Sequence, residues 1–135
     1  MNIGLVIGKF HHCEADSMRE EAEEAAQEYR LNIVSTVWIP GAMEAPLVAK
    51  KLIQSDSIDG LVVLGIIERG ETKHGIVMAQ AITNALIGLQ LEYMKPIGMG
   101  ILGPDIFPSQ IPARVRPYAR SAIKAVQHML SIRLS

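Results

Sequence analysis

Gly60-Leu61-Val62-Val63-Leu64-Gly65-Ile66-Ile67 runs without a polar side chain and passes directly into Glu68-Arg69-Gly70-Glu71-Thr72-Lys73-His74, after which a long helical pattern begins. An uninterrupted apolar run bounded by turn residues reads as a strand covered on both faces. The segment after it is therefore a junction where a strand hands over to a helix. Ligands of open α/β sheets bind at such junctions, beyond the carboxyl ends of the strands. This one offers amides at a helix start, a hydroxyl, an Arg and a His, which together could hold an anionic group and move a proton beside it.

Outward from this junction the same pattern repeats. Residues 3–7, 33–38 and 97–102 join 61–67 as four short runs rich in Ile, Val or Leu without clean alternation, each predicted to be a strand buried on both faces. Helical patterns alternate with them, so the expected architecture is α/β, a parallel sheet with helices on both faces. The first helix is predicted to open at Ser17, with Glu20 completing a capping box, and to bury Met18, Ala22, Ala25, Ala26 and Tyr29. Its other face is acidic and reads as solvated. A second helix is expected over residues 44–54, and a last one after Pro117 with Ala119, Ala122, Ile123, Val126 and Leu130 as its stripe. From Gly75 to Leu91 the third helix carries no charged residue. Gln80, Thr83, Asn84 and Gln90 interrupt it and no membrane anchors flank it, so packing between the sheet and a neighbouring subunit is expected rather than a membrane span.

Composition sets further limits. The 135 residues suit one domain with a real core. Thirteen basic against fourteen acidic residues, a net charge of -1, give no support to nucleic-acid binding. Hydrophobic residues make up 49% and charged ones 20%, more apolar than a small monomer hides comfortably, which points to burial between subunits. The single cysteine, Cys13, excludes an intrachain disulfide framework and suggests a reducing, cytoplasmic compartment. The chain opens on a strand-like run with no signal-peptide pattern.

Four constellations could carry chemistry. At the junction, Gly70 permits a tight turn and Thr72 is a candidate N-cap that would leave the next amides open to phosphate. The ordinary alternative is a capped helix with His74 solvated in its first turn, and the charge of Glu71 favours that alternative unless its side chain points away. After the second run, Pro40-Gly41-Ala42-Met43-Glu44-Ala45-Pro46 stiffens a turn facing the carboxyl edge. Glu44 there could accept hydrogen bonds from a polyol or pyrimidine, or simply be an acid favoured by the helix dipole. Phe10 could stack on a planar heterocycle or pack in the core. His11, His12 and Cys13 follow it, but adjacent residues of an extended chain point apart and nothing completes a metal shell, so no metal is expected. Finally, Arg114, Arg116 and Arg120 bring positive charge after the fourth run, and spacing does not separate a phosphate-binding arginine from solvated ones. There is no dinucleotide fingerprint or Walker loop.

In order and separation these segments resemble the lumazine synthase family. Residues 40–46 look like its PGA-aromatic-E-x-P turn, and residues 69–74 like its RG-x-T-x-H motif. The likeness extends from Ile3 to the final helix. It implies a flavodoxin-like three-layer sandwich with strand order 2-1-3-4, a homopentamer or a multiple of it, and no cofactor. The implied reaction condenses 5-amino-6-ribitylaminouracil with 3,4-dihydroxybutanone 4-phosphate to give 6,7-dimethyl-8-ribityllumazine. Residue by residue, the resemblance gives Phe10 the stacking role and Ala42, Met43 and Glu44 the ribityl chain. It gives Ile66, Ile67 and Glu68 the pyrimidine edge, Glu71 and Thr72 the butanone phosphate, and His74 proton transfer. From a neighbouring subunit it implies Met99 at the pyrimidine pocket and Arg114 on the phosphate. His11 follows Phe10 where the family often has Asn, Met43 replaces an aromatic and Met99 replaces a common Phe, which alters pocket shape more than reaction. The stretch 115–120 lacks the Gly-rich loop of many shell-forming members, so assembly beyond a pentamer stays open.

In the implied reaction an amine adds to a ketone, water and phosphate leave, and a second ring closure follows. Positioning and proton shuttling suffice, and an imidazole does the second near neutral pH. Two alternatives accompany this reading. One is the archaeal type of riboflavin synthase, which typically lacks the RG-x-T-x-H motif. The other is a non-catalytic flavin-binding or shell-forming protein.

Overall fold

A computed structural model describes residues 1–9, 11–67 and 73–134. The four apolar runs form strands β1 (Asn2–Gly8), β2 (Asn32–Ile39), β3 (Gly60–Ile66) and β4 (Ile97–Leu102), all parallel and in the order β2-β1-β3-β4. Helices α1 (His12–Glu28), α2 (Ala45–Ile53), α3 (His74–Tyr93) and α4 (Ile111–Ser131) connect and cover them. The expected flavodoxin-like order and layering are thus observed.

The two-residue period of a strand explains the unbroken apolar runs. Ile3, Leu5 and Ile7 of β1 and Val62, Leu64 and Ile66 of β3 pack with α1 and α4, while Val6, Leu61 and Val63 pack with α2 and α3. Each strand feeds two cores, one per face. β2 departs from this expectation. It is an edge strand whose residues alternate between exposed and partly buried, and Val34 is 51% exposed. Its outer edge and part of its surface extend past the covering helices.

Two helix starts differ from the sequence reading. α1 begins at His12, five residues before Ser17, so Ala15 joins Met18, Ala22, Ala25 and Ala26 on the buried face. Ser17 is not a cap; its Oγ donates to the carbonyl of Cys13 at 3.2 Å, the back-bonding a helix-interior Ser adopts. α4 begins at Ile111 and continues through Pro117, with Pro112 in its first turn. Pro117 lies on the exposed face, where the carbonyl deprived of its usual donor can meet water, while Ile111, Val115, Ala119, Ala122, Ile123 and Val126 form the buried stripe.

Gly98 and Gly100 are what allow α4 to close on β4. A Cβ at Gly98 would run into the carbonyl oxygen of Ala122, and one at Gly100 would lie 3.0 Å from that of Tyr118. The acidic face of α1 is not merely solvated. Glu20 pairs with Arg116 at 2.8 Å, Glu28 with Arg120 at 2.7 Å, and Glu21 with Arg120 at 3.3 Å, tying α1 to α4. The hydrogen bonds it donates to Glu28 and then to Glu21 hold the Arg120 guanidinium above its ordinary pKa.

α3 buries Ile82, Leu86 and Leu89 against the sheet and α2, but leaves Val77 62% and Leu91 71% exposed. Among the described residues no helix is long and apolar enough to cross a membrane.

Candidate active site at the carboxyl edge of the sheet

The turn after β2 is laid across the ends of two other strands. Gly41 is extended, and Ala42–Glu44 forms a single 3₁₀ turn closed by the Glu44 N–H on the Gly41 carbonyl at 3.2 Å. It lies close over both strand ends. A Cβ on Gly8 at the end of β1 would stand 3.8 Å from the Gly41 carbonyl carbon, and one on Gly65 of β3 would stand 3.9 Å from the Ala42 Cβ. The Lys9 N–H donates to Ile39 at 2.8 Å, joining the exits of β1 and β2. Met43 and Glu44 are exposed. Glu44 occupies the N-cap position of α2 yet makes no side-chain capping bond, so its carboxylate is not consumed by the helix start. It lies instead above the turn, with Oε2 3.6 Å from where a Gly41 Cβ would be.

β3 delivers Ile66 and Ile67, both buried. The Ile67 N–H donates to the Leu102 carbonyl at 2.7 Å, which carries the pairing of β3 with β4 one residue past the end of β3. α3 then opens at His74, an exposed residue, with Lys73 at the N-cap. The Val77 N–H donates to the Lys73 carbonyl at 3.1 Å, and the first-turn amides of α3 lie at the positive end of the helix. α3 also packs against the Ala42–Glu44 turn. Phe10, Glu68, Glu71 and Thr72 lie outside the described residues.

Met99 and Arg114 belong to a second region. Met99 projects from β4 on the face opposite Gly98 and Gly100, and lines a recess of about 710 Å³ between β4 and α3 with Ile67, Ile76, Gln80, Thr83 and Ile101. Gly103 and Pro104 form one wall of it and one wall of a smaller recess, about 260 Å³, lined by Asp105, Gln110, Arg114 and Tyr118. Ile67 shares the larger recess with Met99, whereas Ala42, Met43, Glu44 and His74 line neither. The structure also separates the three arginines. Arg116 and Arg120 are engaged with carboxylates of α1, while Arg114 faces the smaller recess and donates from Nη1 to the Gln110 carbonyl at 3.1 Å.

Gln110 and Tyr118 escaped the sequence reading. Both are four residues from Arg114 and so share its helix face, a signal hidden while the helix was expected to begin only after Pro117. His11, His12 and Cys13 are not extended either. His11 has φ 58° and His12 opens α1, its ring 5.9 Å from that of Trp38 and tilted by 47°.

The strand order makes this a flavodoxin-like α/β protein, a class whose enzymes hold their ligands beyond the carboxyl ends of the strands, where the Ala42–Glu44 turn lies. Residues 1–133 match the family model of 6,7-dimethyl-8-ribityllumazine synthase. The chain is 35% identical over 130 residues to the 6,7-dimethyl-8-ribityllumazine synthase of Methanococcus vannielii, covering 96% of this chain and 92% of that one. It is 34% identical over 129 residues to that of Staphylothermus marinus, with 96% and 86% covered. To that of Methanopyrus kandleri it is 35% identical over 130 residues, with 96% and 92% covered. The chain belongs to the 6,7-dimethyl-8-ribityllumazine synthase family, a family of transferases in riboflavin biosynthesis.

Proposed function

We propose that the chain condenses 5-amino-6-ribitylaminouracil with 3,4-dihydroxybutanone 4-phosphate to form 6,7-dimethyl-8-ribityllumazine. The observation that carries this reading is the Ala42–Glu44 turn, held across the ends of β1 and β3 with an unspent carboxylate beside α3, the helix that His74 opens. In this reading Glu44 accepts hydrogen bonds from the ribityl hydroxyls, with Ala42 and Met43 along the same chain. Phe10 stacks on the pyrimidine, and Ile66, Ile67 and Glu68 meet its edge. Glu71, Thr72 and the first-turn amides of α3 receive the phosphate of the second substrate, and His74 passes protons as the imine forms and phosphate departs. No resident cofactor takes part.

Met99 and Arg114 act from a neighbouring copy, which closes the pyrimidine pocket and clamps the phosphate. The split seen in one chain supports this, because the turn and His74 do not line the recesses that hold Met99 and Arg114. The exposed apolar side chains of α3 supply a surface for that neighbour, and a pentamer or multiple of pentamers in the cytoplasm is the assembly we infer.

The test is to mix purified protein with both substrates and follow the fluorescence of the lumazine. Formation only when both are present is expected. Conversion of lumazine alone to riboflavin would instead indicate a riboflavin synthase, and bound flavin without turnover an idle binding protein.

A further inference from the structure

An arginine that must meet a small anion works best when its long side chain is held in place before the ligand arrives. We infer that Gln110 is a positioning residue for Arg114, a role that rests on the functional reading above. Gln110 is half-buried and ends the 3₁₀ turn Pro108–Gln110 that leads into α4. Its side chain folds back so that Oε1 accepts the Phe107 N–H at 2.9 Å, while its own N–H donates to the Phe107 carbonyl, also at 2.9 Å. These reciprocal bonds, with Pro108 between them, hold Gln110 at its N–H and its side chain, and its φ of -91° and ψ of -15° then turn its carbonyl along α4.

The carbonyl so fixed is the one that accepts Arg114 Nη1 at 3.1 Å. One of the five guanidinium N–H donors is thereby spent on holding the group at the recess it shares with Gly103, Asp105, Gln110 and Tyr118. The others are left to bind oxygen atoms of a phosphate. The Gln110 side chain itself need not touch the ligand; it sets the carbonyl that sets the arginine. Its loss should weaken the phosphate-bearing substrate and spare the other.

The experiment measures KM for each substrate separately in the parent, Gln110→Leu, Gln110→Glu, Arg114→Ala and the Gln110→Leu/Arg114→Ala double variant. Gln110→Leu is expected to raise KM for the butanone phosphate about tenfold while leaving KM for the ribitylaminouracil within about twofold. Gln110→Glu, which keeps an acceptor oxygen at the same reach, should restore most of the loss. The double variant should be no worse than Arg114→Ala alone, since the two residues act in series. Equal increases in both KM values, or additive losses in the double variant, would overturn the role of Gln110. If Gln110→Leu does not assemble, Gln110→Asn carries the same test, because its shorter amide no longer reaches the Phe107 N–H. Absence of lumazine formation by the parent would count against the functional reading itself, a result distinct from any of these.

Discussion

Three residues carry the sharpest predictions, and each owes its place to a different physical cause. His74 opens α3 at the carboxyl edge. With proton transfer as its role, His74→Ala should fold and assemble as the parent does but form lumazine roughly 10 to 10³ times more slowly at saturating substrates. An unchanged turnover number would return the ring to a solvated first-turn position. Arg114 is expected to hold a dianion through a charge-assisted contact of about 1.5 to 3 kcal/mol, so Arg114→Ala should raise KM for the butanone phosphate roughly 10- to 150-fold and spare the other substrate. Equal losses for both would assign Arg114 to structure. Gly103 is fixed by backbone alone: its φ is 94°, and a Cβ there would collide with the Ile67 carbonyl at the wall between the two recesses. Gly103→Ala should destabilise the fold by about 2 kcal/mol or more in denaturant titration, and parent-like stability would contradict that. That residues 42–44 turn beyond the strand ends was legible in sequence, because two prolines bracket a glycine there. The choice among Arg114, Arg116 and Arg120 was not, since it depends on carboxylates of α1 more than 90 positions away.

At the scale of elements, sequence reading succeeded where periodicity is strong and failed at edges. All four strands follow from apolar runs alternating with helical patterns, while their order was implied by the family resemblance and is the one observed. β2 was read as doubly covered because a run such as 33–38 looks alike at the centre and the rim of a sheet. The start of α1 was misplaced because Ser17 satisfies a backbone carbonyl within a helix as readily as it caps one. α4 is longer than expected because the helix, expected to open only after Pro117, runs through that proline, whose missing donor is tolerated on an exposed face. The seam between α1 and α4 yields a prediction of its own. A raised guanidinium pKa contributes stability that is complete below the unfolded value and is lost only as pH climbs through the folded one, and for Arg120 that window lies above any working pH. Salt rather than pH is therefore the probe. The combined Arg116→Ala/Arg120→Ala variant should lower Tm by a few degrees at low ionic strength, with the gap narrowing near 1 M salt. A gap independent of salt would mean that the lost packing of the arginine stems outweighs the lost charge.

For the whole molecule, the decisive feature is that one chain leaves apolar side chains of α3 exposed and sets the proposed functional groups apart. Val77 and Leu91 stand exposed on α3, while His74 and Arg114 occupy different parts of the carboxyl edge. A neighbouring copy laid on α3 would remedy both. Leu91→Glu should accordingly shift light scattering from a pentamer or larger species toward smaller ones while far-UV circular dichroism stays near that of the parent; an unaltered mass would place the contact elsewhere. The most direct test of a lumazine-forming site built from two chains is complementation between His74→Ala and Arg114→Ala, assayed for lumazine at limiting butanone phosphate. Each variant alone should be slow. Dissociated, mixed in equal amounts and reassembled, they should place an intact His74 opposite an intact Arg114 in about one site in four and recover about a quarter of the parent rate. A mixture no faster than the average of the two variants would contradict the shared site.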